Sequence, residues 1–168
     1  LCTKNLPEPA VIPSEYFNTV LWTGNATDDR NITGVGFSPN MVWIKSRGTT
    51  NDNMIFDTQR GVGKYLRTNS TDAEDSNADT LQSFDADGFQ IGADSRLNTN
   101  NDPVVSWNWK AGTSVSGNSS GAGDDVPYTG TVNTDAGFSI IKYGGNGVTG
   151  HQVPHHLGVV PDMIWIRN

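Results

Sequence analysis

Cysteine is nearly absent from this chain of 168 residues: Cys2 is the single instance, so no intrachain disulfide can form. Stability must come from core packing, with oligomerisation as a further source, and the redox compartment stays open. Charge is sparse as well, at 17% of residues, which excludes a disordered polyampholyte and a coiled coil. The charge that is present is acidic, with a net of −7 and an isoelectric point of about 4.7. Lysine and arginine are scattered, and Lys64 with Arg67 is the nearest approach to a cluster. There is no basic stripe for nucleic acid and little to attract an anionic membrane. No apolar run reaches the ~18 residues that a membrane-spanning helix needs. No signal-peptide pattern is visible. The opening on Leu1 and the apolar strand pattern at the other end read as a piece of a longer polypeptide.

What the chain has in quantity is turn and strand chemistry. Glycine accounts for 19 residues, Asn, Ser, Thr and Asp are abundant, and there are five tryptophans. That composition suits short strands joined by many turns. FNTVLW from Phe17, MVWIK from Met41 and NMIFDT from Asn53 are short, β-branched or aromatic, and bounded by Gly, Pro or Asn, which predicts strands over helices. LQSFDADGFQIG predicts two strands around the tight turn Asp85-Ala86-Asp87-Gly88. VVSWNW alternates, with Val105, Trp107 and Trp109 on one face and Val104, Ser106 and Asn108 on the other. The acidic stretch TDAEDSNADT reads as a loop or a short capped helical turn. No segment has sustained helical periodicity. The expected fold is therefore all-β, a β-sandwich or jelly-roll-like unit.

The chain also repeats itself. FNTVLWTGN around Phe17 returns as FSIIKYGGN around Phe138, and PNMVWIKS (39–46) returns as PDMIWIRN (161–168), at offsets of 121 and 122 residues. Trp22 matches Tyr143, Met41 matches Met163, Trp43 matches Trp165 and Lys45 matches Arg167. The expected organisation is an extended Pro-rich linker at 1–14, a first β unit at 15–112, a Gly/Ser-rich linker at 113–125, and the start of a second, truncated copy at 126–168. Half a sandwich would expose its core, so the second copy calls for ordered continuation or pairing with another chain. Trp43 and Trp165, at one position of the repeat in apolar runs, are expected core markers.

The strings GFSPNMVWIKSR, FDTQRGVGKYLRTNST, LQSFDADGFQIG and VVSWNWKAG together resemble a domain that recurs in tail-fibre-like and other large structural proteins of marine bacteriophages, including cyanophages. The resemblance covers Phe17 to Gly112, and GFSIIKYGGNG with LGVVPDMIWIRN resembles the next copy of the module. CTKNLPEP resembles the connector that follows an upstream lectin-like module in such proteins. Asn40 departs from the Asp of that pattern, whereas Asp162 keeps it. The resemblance implies a non-enzymatic virion protein at the particle surface, outside the cell. Its partners would be other virion subunits and copies of itself, trimeric by analogy with phage fibres, with host-surface polysaccharide as a further contact.

Candidate chemistry is thin. HQVPHH carries all three histidines in a turn segment with no acid cluster, so solvated or structural roles stand against metal binding. Asp85 and Asp87 are oxygen ligands of the type calcium takes, against the simpler role of a hairpin turn. No other cofactor is implied. No nucleophile elbow and no usable Ser/His/Asp order occurs, so catalysis is not expected. Aromatic faces can stack on sugar rings, which makes Trp107 and Trp109 candidate glycan contacts if their shared face is an exposed platform rather than core. Arg60 and Lys64, after Asp57, are the candidate contacts to an anionic sugar, against an Asp57–Arg60 ion pair that fixes the loop. A dedicated carbohydrate-binding module and a capsid-surface decoration protein are the alternatives to a fibre or appendage.

Overall fold

The alternation seen in the sequence becomes two facing sheets in the computed structural model, which describes residues 11–167. The expected linker at 1–14 thus falls mostly outside the described residues, and its end, Pro13–Glu15, is a single 3-10 turn opened by Pro13. The first unit comprises β1 (Phe17–Thr23), β2 (Arg30–Thr33), β3 (Met41–Ser46), β4 (Met54–Asp57), β5 (Lys64–Arg67), β6 (Asp75–Ser76), β7 (Leu81–Asp85), β8 (Gly88–Ile91), the one-turn helix α1 (Ser95–Asn98) and β9 (Pro103–Trp109). A six-stranded antiparallel sheet has the order β1-β9-β3-β4-β5-β6, and a three-stranded sheet the order β2-β8-β7.

The core lies between these two sheets. Val42 and Ile44 of β3, Met54 and Phe56 of β4, Tyr65 of β5 and Val104 of β9 face Ile32, Leu81, Phe89 and Ile91 from the smaller sheet. Leu97 of α1 closes one end. The all-β sandwich expected from the strand pattern is what the chain forms. The acidic stretch 71–80 forms no helix: it is loop with the two-residue β6, because its hydrogen bonds go to Gly63 and to side chains of neighbouring strands.

Asn40 shows why the repeat tolerates either Asn or Asp at this position. Its Oδ1 accepts from the backbone N–H groups of Ala111 (2.8 Å) and Gly112 (3.0 Å), tying the end of the unit to the entrance of β3. That role needs only an acceptor oxygen, which both side chains supply.

Beyond Gly112 the structure departs from the expected organisation. Residues 113–125 are not simply a linker: β10 (Thr113–Asn118) pairs with β12 (Pro127–Asn133), which pairs with β13 (Phe138–Tyr143). The short β11 (Ser120–Gly121) pairs with β14 (His151–Gln152). Backbone ladder bonds order this Gly/Ser segment, and Tyr128 and Val132 of β12 supply the buried apolar surface that its own composition lacks.

β13 repeats β1 as a strand, but the repeat of β3 does not form one. Residues 161–167 have no ladder partner, and Met163, Ile164, Trp165 and Ile166 are 52–80% exposed. The reason lies in chain order. β3 pairs with β9 and β4, both of which follow it in sequence, and the described chain holds no second copy of either.

Candidate functional site

β3 and β9 place their alternate side chains on the outer face of the six-stranded sheet, and this is where the aromatic residues gather. Trp43 is in register with Trp107, and Trp109 lies between Phe17 and Met41. Ring centroids are 5.4 Å apart for Trp43–Trp107 and 5.0 Å for Phe17–Trp109. Ile55 of β4 and Val105 of β9 lie in the same face, each 7% exposed. The tryptophans themselves are half-buried.

This corrects the expectation for Trp43 and Trp165. Neither belongs to the core cluster; Trp43 lies on the outer face of the sheet and Trp165 is 52% exposed. An apolar run with Trp in the middle signals a strand covered on both sides, and the sequence cannot distinguish the sandwich interior from a covered outer face. Trp107 and Trp109 do share a face, as the alternation required, yet they form no open platform. Phe138 of β13 stacks on Trp109 at 6.0 Å and an interplanar angle of 24°. Trp165 meets Trp43 edge-on at 5.8 Å.

Arg60 is withdrawn from any ligand. Its Nε donates to Asp57 Oδ2 at 2.6 Å and its Nη2 to the Ile55 carbonyl, while both side chains of the pair are under 10% exposed. Asp57 Oδ1 accepts the N–H groups of Gln59 and Arg60, so one carboxylate closes the whole turn. The loop-fixing ion pair is present, and the anionic-sugar role of Arg60 gives way to it. Lys64 stays about half exposed, 3.9 Å from Glu74, and the structure does not draw it together with Arg60.

The acidic candidates are occupied within the fold. Asp87 accepts the N–H groups of Gly34 (3.1 Å) and Gly36 (2.6 Å), binding the β7–β8 turn to the loop after β2. Asp85 accepts from the Ser83 hydroxyl at 2.8 Å. Among the described residues no three His, Cys, Asp or Glu side chains are grouped to hold a metal ion. His151 Nε2 lies 2.6 Å from Ser119 Oγ, His156 Nε2 lies 2.9 Å from Tyr128 Oη, and His155 Nδ1 accepts the Leu157 N–H. His151 and His156 thus fasten the segment after β13 to its surroundings, and His155 closes a turn within it.

One polar constellation was not legible in the sequence. The Tyr65 hydroxyl donates to Asp75 (2.8 Å) and accepts from Arg96 (2.8 Å); Arg96 also grips Asp94, and Arg67 bonds Asp72 and Asp75 at 2.6 Å each. The Tyr65 hydrogen bond, followed by the Ser76 amide, holds the Asp75 carboxyl below its ordinary range. The Ser70 hydroxyl and then Arg67 do the same for Asp72. These residues come from β5, β6, the following loops and α1, and only the fold joins them. Each of the two guanidinium groups is paired with carboxylates, so the cluster works as a clamp.

No curated protein and no solved structure matches the chain. A family model does, in a single match over residues 12–168. The protein therefore belongs to the family defined by the domain of unknown function DUF7483.

Proposed function

We propose that this protein is a non-enzymatic structural component of a bacteriophage virion, an outward-facing fibre or appendage built from repeated β units. The internal repeat carries this reading: a unit that recurs within one chain builds length and spacing. Two further features support it. The polar clusters of the first unit, Asp57–Arg60, Asp87 and the Tyr65 clamp, are spent on holding loops in place. The motif strings also resemble those of tail-fibre-like virion proteins. Its partners are other virion subunits and copies of itself, trimeric by analogy, on the virion surface.

Immunogold electron microscopy of particles that carry this protein tests the reading. Label on a tail appendage is expected. Label on symmetric lattice positions of the capsid would make the protein a decoration protein instead, and particles without label would end the virion assignment.

A carbohydrate-binding role is the second reading: it rests on the row of tryptophans on a sheet face, which Phe138 and Trp165 partly cover and would have to leave for a sugar to stack, with half-exposed Lys64 as a charged contact elsewhere on the sheet. On a glycan array the full chain would bind host-type polysaccharide and lose that binding in Trp107→Thr. Absence of binding removes this role and leaves the structural one standing.

A further inference from the structure

The outer face of the six-stranded sheet is unusual for an antiparallel sheet at the surface. Such a face is ordinarily polar and solvated. Here it presents Phe17, Leu21, Met41, Trp43, Trp107 and Trp109. Lys45, the one cation on this face of β3, is turned to the carbonyls of Thr49 and Asn51. Such a surface calls for cover.

The chain shows what the cover is. The residues seated on this face are its own counterparts from the second copy: Trp165 occupies in that copy the position Trp43 occupies in the first, and the two touch. Phe138 is the counterpart of Phe17, and Trp109 lies between them, 5.0 Å from one and 6.0 Å from the other. Trp165 is the least exposed side chain of the run 163–166, at 52%, whereas Met163, Ile164 and Ile166 are 70–80% exposed, so the contact with Trp43 is what seats the segment. A position that contacts its own counterpart, as Trp43 does, is what a two-fold, self-complementary interface produces.

We propose that the outer face of the six-stranded sheet is a self-recognition surface, and that its partner is the same face of a second copy of this unit, with Trp43 near the local two-fold axis. Two sheets packed face to face are a standard way to bury such side chains. Within one chain the segments at Phe138 and Trp165 occupy part of this face. When they are displaced, a second copy of the chain takes their place. This inference needs no viral setting and stands apart from the proposed function.

Sedimentation velocity on the full chain over a wide concentration range tests it. Phe138→Ser with Trp165→Ser removes the two aromatic side chains that cover the face. This variant is expected to self-associate at least ~10-fold more tightly than the wild type, equivalent to about 1.4 kcal/mol. Adding Trp43→Thr or, separately, Trp107→Thr reverses the gain; circular dichroism verifies that each variant is folded, and having two such variants guards against one that is not. Ile164→Asp with Ile166→Asp leaves the association unchanged. No tightening in the uncovered variant overturns the proposal. So does tightening that survives both Trp replacements in folded protein, or that is abolished by the Ile164 and Ile166 changes, because the association would then use another surface.

Discussion

At Asp57 one carboxylate takes two backbone N–H groups and the Arg60 guanidinium in a site that little water reaches. Removing it leaves a cation buried without its counter-charge. Asp57→Ala is expected to cost about 3–5 kcal/mol, read as a lower urea midpoint, and Asp57→Ala with Arg60→Met to recover part of that loss. A loss under about 1 kcal/mol would mean that the pair behaves as a solvated one. An acid response is expected from Asp72 and Asp75, whose carboxyl groups are held below their ordinary range. A carboxyl with a depressed folded-state pKa stabilises the fold above its unfolded pKa of about 3.9, and this contribution is lost as pH falls through the folded value. Thermal midpoints are therefore expected to fall on acidification below about pH 4, with a shallower fall in Asp75→Asn. Both carboxylates are exposed, so added salt reduces the effect.

Among the elements, the β7–β8 hairpin is the one whose turn residues were legible in advance. Asp-Gly between two alternating runs marks it, because Gly88 adopts φ +146°. A second constraint came only with the fold: β8 lies against β2, and a Cβ on Gly88 would stand 2.0 Å from the Ile32 carbonyl oxygen. Gly88→Ala thus combines backbone strain with a clash that Ile32 cannot relieve without moving β2. A loss of about 2 kcal/mol or more is expected by chemical denaturation, with faster amide exchange in Arg30–Thr33 than in β3. A variant as stable as the wild type would show that β2 yields freely. β10 makes the opposite point. Its Gly/Ser composition signals a linker, yet it becomes a strand because β12 offers a ladder edge, and a backbone ladder is indifferent to side-chain type.

Over the whole molecule, the two copies of one sequence pattern have different fates. Met41–Ser46 is a central strand paired on both sides, whereas residues 163–167 carry the same pattern with no ladder partner. Hydrogen exchange measures this contrast directly. Amides of residues 163–166 are expected to exchange at nearly unprotected rates, and those of Val42 and Ile44 only through global unfolding. Comparable protection of the two segments would mean that residues 163–167 find a strand partner in solution.

The sequence by itself determined six strands of the first unit (β1, β3, β4, β7, β8 and β9), the two faces of β9, the Asp-Gly hairpin and the repeat. All of these follow from local chemistry: alternation, turn residues and spacing. The tertiary structure alone decided which buried-looking tryptophans lie in the core and which on a covered outer face, since alternation specifies that two faces differ but not what lies beyond each. It also decided the Tyr65 clamp, the loss of Arg60 to Asp57, and the contact of Trp43 with its own counterpart. Those depend on residues far apart in the chain, and only strand order and sheet packing bring them together.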